Sequence, residues 1–202
     1  SVAGEVEVTA QNDVTTNATV KAKMDVTLSS TAGGVTTGEK VTATSGNVNV
    51  TAQGAVETDK VIYGGTDVTL WSKNATVLAN DTVTAESGDV TVNASTGIET
   101  TKALNAGTNV TLSSTNGNVT TGEKVTAASG NVNVATGTGN ISVQAVDAGK
   151  DISLKTTEGN ITNSGVLTAN QKVSLNAVTS GDINVNNQIE GKDIEIQTAN
   201  GD

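Results

Sequence analysis

The residue types that the sequence lacks already exclude several classes of protein. It contains no cysteine, proline, histidine, arginine or phenylalanine, and it has one methionine, one tryptophan and one tyrosine in 202 residues. The missing cysteine and histidine exclude a disulfide scaffold, a zinc site with the usual ligands and a Ser-His-Asp or Cys-His catalytic pair. The shortage of aromatic side chains argues against a thick globular core, which such residues normally fill.

The charge and hydropathy of the chain limit its partners. It has 21 acidic and 11 basic residues, which gives a net charge of −10. Nucleic acid and anionic membranes attract clustered cations, so this balance disfavours both as partners. No apolar run approaches the roughly 20 residues of a membrane-spanning helix. We therefore expect no nucleic-acid partner and no membrane insertion.

What the sequence does contain is a long internal repeat. Residues 26–50 (VTLSSTAGGVTTGEKVTATSGNVNV) and 110–134 (VTLSSTNGNVTTGEKVTAASGNVNV) are identical at 22 of 25 positions. Further copies open at Val68, Ile152 and Ile194, so that the five copies follow one another at a constant spacing without insertion or deletion. A strict period of this kind indicates a stack of equivalent structural units.

Each period divides into two units of similar length. A V-x-V or V-x-L triplet, with Ile replacing Val in some copies, begins at Val6, Val26, Val48, Val68, Val90, Val110, Val132, Ile152, Val173 and Ile194. The steps between successive triplets alternate between a shorter and a longer one as far as Ile152, and are equal thereafter. Two more apolar positions recur in each unit, such as Val35 and Val41, flanked by Thr, Asn, Ser or Gly. Each unit is therefore predicted to carry three short strands joined by turns.

This pattern predicts an all-β fold, a right-handed parallel β-helix (β-solenoid) with three short strands in each coil of about 21 residues and a 42-residue double-coil repeat. Equivalent strands of successive coils would stack at roughly 4.8 Å, so the rod would be about 45 Å long. Val, Leu and Ile are expected to face inward, and Thr, Asn, Glu and Lys outward. The right-handed form is expected because parallel crossovers are overwhelmingly right-handed. The lack of proline fits, since proline would remove a ladder hydrogen bond.

Residues 1–202 are expected to form one β-solenoid domain. A coil buries about five aliphatic side chains, each worth roughly 1.5–3 kcal/mol. Ordering its backbone costs roughly 1–2 kcal/mol per residue. One coil is therefore unstable alone and depends on its neighbours. Both termini fall within a repeat, so we interpret the domain as a segment of a longer array or as a fibre subunit.

A column of Asn and Asp residues is the most regular polar feature. Its members precede the triplets and are Asp25, Asn47, Asp67, Asp89, Asn109, Asn131, Asp151 and Asp193. These residue types tolerate tight turns and bond to nearby backbone, so we interpret the column as a structural turn ladder. The alternative is a calcium site between Asp67 and Asp89 on adjacent coils, but calcium takes six to eight oxygen ligands. We expect no metal and no other cofactor.

Tyr63 and Trp71 are the candidate surface contacts. The other copies have Ser29, Ser113 or Lys155 in place of Trp71, and Asn105 or Asp147 in place of Tyr63; these polar equivalents predict that both rings lie on the surface. There they would stack on a sugar or a protein partner, or serve no binding role. No loop insertion that could form the wall of a catalytic cleft interrupts the repeat, and acid–base catalysis needs clustered titratable groups. We therefore expect no enzymatic activity.

Several recurring phrases resemble a known family. They are SGNVNVTA (45–52), SGDVTVNA (87–94), AGTNVTLSSTNGNVTT (106–121) and AGKDISLKTTEGNIT (148–162). They resemble the repeats of filamentous-haemagglutinin-type exoproteins, the secreted partners of bacterial two-partner secretion systems, which include adhesins and contact-dependent inhibition toxins. The resemblance covers nearly the whole chain, from Val6 to Asp202. It implies a secreted rod displayed on the cell surface.

Two main hypotheses for function follow. The first is a structural rod or stalk of a secreted adhesin-like exoprotein that mediates display or cell adhesion. Its partners would be other domains of a larger exoprotein and the surface of a host or neighbouring cell. The alternative is an extracellular fibre subunit that polymerises head to tail with copies of itself, because the open ends of a solenoid expose unpaired strand edges. Direct binding of glycan or ice along a flat Thr/Asn face is a weaker third hypothesis, because the outward residues vary.

Overall fold

The computed structural model describes residues 4–200, which fold into 28 β-strands without a helix. Each strand pairs in parallel with the equivalent strand of the neighbouring coil, and the strands form three sheets, one of ten strands and two of nine. The prediction of a β-solenoid with roughly 21 residues per turn and about nine turns is thereby confirmed. The handedness of the coil stays a prediction. No helix in the described range is long and apolar enough to cross a membrane.

We name the sheets A, B and C in the order in which each coil visits them. Sheet A contains β1 (Val6–Ala10), β4 (Val26–Ser30), β7 (Val48–Ala52), β10 (Val68–Ser72), β13 (Val90–Ala94), β16 (Val110–Asn116), β19 (Val132–Thr138), β22 (Ile152–Glu158), β25 (Lys172–Ser180) and β28 (Asp193–Thr198). Sheet B contains β2 (Val14–Thr16), β5 (Val35–Thr37), β8 (Val56–Thr58), β11 (Thr76–Ala79), β14 (Gly97–Thr100), β17 (Val119–Thr121), β20 (Ile141–Val143), β23 (Ile161–Asn163) and β26 (Ile183–Val185). Sheet C contains β3 (Val20–Ala22), β6 (Val41–Ala43), β9 (Ile62–Gly64), β12 (Val83–Ala85), β15 (Leu104–Ala106), β18 (Val125–Ala127), β21 (Val146–Ala148), β24 (Leu167–Ala169) and β27 (Ile189–Glu190).

The core is a set of apolar columns that run along the rod axis. Alternate residues of a strand point to the same side, so the first and third residues of each triplet face inward together. In sheet A, Leu70 is fully buried and pairs with Val50 on one side and Val92 on the other. Sheet C contributes a second type of column, made of small residues such as Ala43 and Ala85. Each inward side chain therefore packs on its counterparts in the adjacent coils.

The alternation between shorter and longer steps is confined to the turns. In sheet B, Val35, Val56 and Val77 follow one another at equal intervals in the sequence. The turn from sheet C to sheet A instead varies, since Val26 lies six positions after Val20 but Val48 lies seven positions after Val41. An extra residue within a strand would break the hydrogen-bonded register of the sheet, so it must be accommodated in a turn.

The turn from sheet A to sheet B changes near the middle of the rod. Lys73–Ala75 separate β10 from β11, whereas Gly117 and Asn118 alone separate β16 from β17. Gly117 has φ of +142°, a conformation that side chains disfavour and glycine allows. This sharper turn leaves more of the chain free to pair, and β16, β19 and β22 are each seven residues long, compared with five in β10.

The prediction that threonine faces outward is wrong for Thr136 and Thr156 of sheet A and for one column of sheet B. Thr37, Thr58, Thr100 and Thr121 are buried, each on the same side of its strand as the apolar residue two positions earlier. The period-two geometry of a strand turns them inward whatever their polarity. The hydroxyl groups of Thr37, Thr58 and Thr100 have no hydrogen-bond partner.

Replacement of Thr58 by Val is expected to stabilise the rod. Valine has nearly the shape of threonine, and a buried hydroxyl without a partner costs about 1–3 kcal/mol. We expect a rise of about 1 kcal/mol in the free energy of unfolding, measured by urea denaturation, with a larger rise in a Thr37→Val, Thr58→Val, Thr100→Val triple variant. Thr36→Val is the outward-facing control. A lower stability of Thr58→Val would show that the hydroxyl is hydrogen-bonded.

Candidate functional site

The Asn and Asp column forms one continuous hydrogen-bonded ladder at the corner between sheets C and A. From Asp25 to Asp151, the Oδ1 atom of each residue accepts the backbone N–H of the residue that follows it in the column, one coil further along. The donor–acceptor distances are 2.8 Å for Asn47 to Asp25, 3.1 Å for Asp67 to Asn47, 2.8 Å for Asp89 to Asp67, 2.8 Å for Asn109 to Asp89, 2.9 Å for Asn131 to Asn109, 3.1 Å for Asp151 to Asn131 and 2.9 Å for Lys172 to Asp151. These bonds satisfy backbone donors that leave the sheet at the turn.

The glycine that precedes every second ladder residue is required by this close stacking. A Cβ atom added to Gly46 or to Gly88 would overlap the Oδ1 atom of Asp25 or Asp67 in the coil below. The recurring S-G-N or S-G-D sequence therefore leaves space for the carboxylate or amide of the preceding coil.

The ladder ends at Lys172, which occupies the column position between Asp151 and Asp193. Lys172 pairs with Asp193 in the register of sheet A, but its side chain forms an ion pair with Glu195. This hydrogen bond to Glu195 raises the pKa of Lys172. The backbone N–H of Asp193 donates instead to the carbonyl of Gln171 at 3.2 Å. Asp193 thus shares the column with the other predicted residues without continuing their chain of hydrogen bonds.

Asp89 has the densest set of donors in the ladder. Its Oδ1 atom accepts the Thr108 hydroxyl, the backbone N–H of Asn109 at 2.8 Å and the Asn109 side-chain amide at 2.9 Å. Burial acts to raise the pKa of Asp89, but these hydrogen bonds to the ionised form outweigh it and the pKa lies below its usual value. The carboxylate therefore stays ionised and contributes to the stability of the turn.

An Asp89→Asn variant is expected to reduce the acid sensitivity of the rod. Because the folded-state pKa of Asp89 is lowered, its contribution is present above the ordinary value of 3.8 and is lost as the pH falls through the folded-state pKa. Asparagine keeps the Oδ1 acceptor, as Asn47 and Asn131 do at the equivalent positions of the preceding and following repeats. Urea denaturation between neutral pH and about pH 3 should show a smaller loss of stability for Asp89→Asn than for the wild type. Glu57→Gln, an outward residue of sheet B, controls for the loss of one charge, and equal profiles for Asp89→Asn and wild type would contradict this role.

Asp67 and Asp89, the alternative calcium ligands, do lie on adjacent coils. Their Oδ1 atoms are occupied by backbone N–H donors of the ladder. Within residues 4–200, no group of three or more acidic side chains is placed to hold a metal ion. The hydrogen bonds account for the positions of both carboxylates.

A second ladder, at the corner between sheets A and B, was missed from the sequence. Asn118 Oδ1 accepts the N–H of Asn140, Asn140 Oδ1 that of Asn160, and Asn160 Oδ1 that of Asp182, each at 2.8 Å. The signal for it at this corner is the Gly-Asn or Gly-Asp before an apolar residue at 117–119, 139–141, 159–161 and 181–183. This ladder belongs to the half of the rod with the sharp glycine turn.

The two aromatic side chains lie on different sheets. Trp71 extends from the outer side of β10 in sheet A and is 44% exposed, with the Lys73 ammonium 5.2 Å from the centre of its ring. Tyr63 extends from β9 in sheet C, is half-buried, and donates its hydroxyl to Glu86 at 3.4 Å. Burial and the Glu86 carboxylate raise the pKa of Tyr63, so the phenol stays protonated near neutral pH. The rings are two separate surface features.

Exposed ion pairs connect other coils. Lys102 lies 2.8 Å from Glu123, and Lys124 lies 3.0 Å from Asp147. The hydrogen bond to Glu123 raises the pKa of Lys102. Pairs as exposed as these contribute little to stability.

Among the features of the described surface are the hydrogen-bonded ladders at the corners and the exposed Trp71 with its neighbouring Lys73. The Oδ1 atoms of the ladders accept hydrogen bonds from backbone N–H groups of the protein itself. Trp71 and Lys73 present an aromatic face and a positive charge to the solvent. No protein-family profile, curated protein or solved structure matches this chain.

Proposed function

We propose that the chain is the structural rod, or stalk, of a secreted adhesin-like exoprotein that is displayed on the cell surface. The observation that carries this proposal is the unbroken stacking of all three sheets, from β1 to β28 in sheet A, with parallel pairing in every described coil. Near-identical copies such as 26–50 and 110–134 add length to a rod, whereas a single binding site does not require repeated copies.

The arrangement of the sheets supports a stiff rod. Sheets A, B and C lie on different sides of each coil, so bending in any direction must stretch at least one of them. The backbone hydrogen bonds run from coil to coil along the axis, and the Asn and Asp ladder at the corner between sheets C and A adds a further chain of bonds from Asp25 to Lys172. Apolar columns fill the interior over the same length. Such a rod would hold an attached domain at a fixed distance from its base.

Secretion and surface display are supported by the resemblance of the repeats to filamentous-haemagglutinin-type exoproteins. The partners would be other domains of a larger exoprotein and the surface of a host or neighbouring cell. Antibodies raised against the purified chain should label intact cells of the source organism. Labelling that requires permeabilised cells would contradict surface display.

The stalk proposal predicts that length scales with the number of repeats. Insertion of a second copy of residues 68–109 after Asn109 keeps every strand in phase, because Val68 and Val110 are equivalent. The two added coils should lengthen the rod by about 10 Å, from about 45 to about 55 Å. Small-angle X-ray scattering and negative-stain electron microscopy would measure this change, and stability should be maintained or raised.

A scrambled insertion of the same length and composition is the matched control. It should leave the rod unextended or broken into two shorter folded parts, because its apolar residues no longer meet the core columns. Equal lengthening by the scrambled and native blocks would contradict the proposal.

A self-assembling fibre is the second candidate, because the open end of a solenoid presents unpaired strand edges to another copy. Val8 is 38% exposed at one end, and Ile194 and Ile196 are 51% and 48% exposed at the other, although their equivalents elsewhere are buried. Another coil placed against either end, from a longer chain or from a second copy, would cover these side chains and pair the free strand edges. Filaments that lengthen with protein concentration in the same micrographs would support the fibre; discrete rods of constant length would support the stalk.

A further inference from the structure

The coil that contains β10 departs from the repeat at many positions, and two of them lie outward on one surface. Residues 68–92 match 110–134 at only 13 of 25 positions, whereas 26–50 match 110–134 at 22. Trp71 and Lys73 stand where Ser113 and Thr115 stand in the later copy. The inward residues Val68 and Leu70 are retained in the later copy as Val110 and Leu112. The changes at positions 71 and 73 therefore alter the surface of this coil and leave the inward residues of β10 as they are in the later copy.

Trp71 forms one wall of a shallow groove of about 270 Å³ on the outer side of sheet A. The Trp71 ring is flanked in the sheet by Thr51 and Asn93, one coil away on either side. The groove continues along the axis past polar side chains on the next two coils. Its lining includes Trp71, Lys73, Asn93, Ser95, Ser113 and Thr115. An aromatic platform therefore lies at one end of a row of hydroxyl and amide groups.

The charge of the groove is opposite to that of the chain. The net charge is −10, yet in the described part of the chain Lys73 is the one charged residue that lines the groove. No carboxylate of residues 4–200 forms an ion pair with Lys73, whose ammonium lies over the Trp71 ring. A cation–π contact at such an exposed site is worth only about 0.5–1 kcal/mol, so an anion can recruit the ammonium at little cost.

We propose that this groove binds an acidic glycan, through a pyranose ring that carries a carboxylate. The C–H face of the sugar stacks on Trp71, the carboxylate pairs with Lys73, and hydroxyl groups of the next sugars bond to Asn93 and Ser113. Each element of the groove has a matching chemical group in such a ligand. The inference is independent of the stalk proposal, since it concerns the side of the rod and holds for a stalk or a fibre.

Trp71 is the single tryptophan of the chain, so its fluorescence reports this site alone. The full chain would be titrated with tetragalacturonate, with 3′-sialyllactose and with neutral cellotetraose. We expect a saturable change in emission with at least one acidic probe and at least tenfold weaker binding of cellotetraose. The stronger acidic probe distinguishes a uronic-acid polysaccharide from a sialylated glycan. Equal binding of the neutral and acidic probes, or no saturable change with any of them, would overturn the proposal.

The internal repeat supplies variants that preserve the fold. Lys73→Thr and Trp71→Ser introduce the residues found at 115 and 113, which the rod already accommodates. Lys73→Thr should weaken binding of the acidic probe about tenfold, and calorimetry should detect no binding to Trp71→Ser. Lys155→Thr removes an outward lysine from the column of sheet A that contains Trp71, four coils away from it, and should bind like wild type. Full binding by Lys73→Thr, or an equal loss in Lys155→Thr, would overturn the assignment of the carboxylate to Lys73.

Discussion

Leu112→Asp is expected to disrupt the middle of the rod. Leu112 is fully buried in β16 and pairs with Val92 and Val134 in the adjacent strands. Truncation of a buried leucine to alanine costs about 2–5 kcal/mol, and an unpaired carboxylate in the same place adds a desolvation penalty. We expect a loss of more than about 4 kcal/mol in the free energy of unfolding, or failure to fold. Urea denaturation followed by circular dichroism measures the loss.

Thr111→Asp, one residue earlier, is the matched control. Thr111 points outward from the same strand and pairs with Thr91 and Asn133, so the new carboxylate remains in water. Aspartate is a poor strand residue, and we expect a cost of at most about 1 kcal/mol. If the two variants had the same stability, the assignment of inward and outward positions would be wrong. Because each coil contacts only its neighbours, a folded remnant on either side of Leu112→Asp would also be consistent with a solenoid.

Gly139→Ala is expected to have the second-largest effect. Gly139 has φ of +140°, and an added Cβ atom would lie 2.5 Å from the carbonyl carbon and oxygen of Gly117 in the coil below. Backbone strain of this kind costs about 1–3 kcal/mol, and the clash with rigid backbone adds to it. Movement of the turn would also disturb the hydrogen bond from Asn140 to Asn118. We expect a loss of about 2–4 kcal/mol in the free energy of unfolding, measured by urea denaturation.

Gly38→Ala controls for the replacement of a glycine in a turn. A Cβ atom at Gly38 would lie 3.4 Å from the Thr16 carbonyl oxygen, and the residue is not among the glycines with positive φ. Alanine restricts the unfolded chain, so this variant should be unchanged or more stable by about 0.4–1 kcal/mol. Equal losses at the two positions would contradict the view that the corner between sheets A and B requires glycine at 139.

The opposite signs expected at Gly38 and Gly139 bear on how a β-solenoid tolerates sequence change. Outward positions such as Thr111 and turn positions with space such as Gly38 can vary while the coil keeps its register. Inward positions and closely stacked turns cannot, because each contacts its counterpart in two other coils. Variation at Trp71 and Lys73 is of the tolerated kind, so a binding surface can be added without loss of the rod.

The sequence by itself determined the repeat length, the three strands of each coil and the inward position of residues such as Val26 and Leu28. This was possible because successive side chains of a strand point to opposite sides. The same pattern also recurs ten times, so ten segments of the sequence predict the same structure. The turn residues Asp25 to Asp151 were also evident from their spacing.

Only the tertiary structure decided how neighbouring coils contact one another at the corners. That Asp67 accepts the N–H of Asp89 depends on a distance between coils, which no local pattern contains. The same is true of Thr58, whose polarity favours the surface but whose place in the strand turns it inward. Trp71 and Tyr63 are eight residues apart in sequence, yet the turn between sheets C and A separates them onto different faces. The contacts at the corners join residues that lie a full coil apart in the sequence. The geometry of the closed coil sets these contacts, so they become evident only in the folded structure.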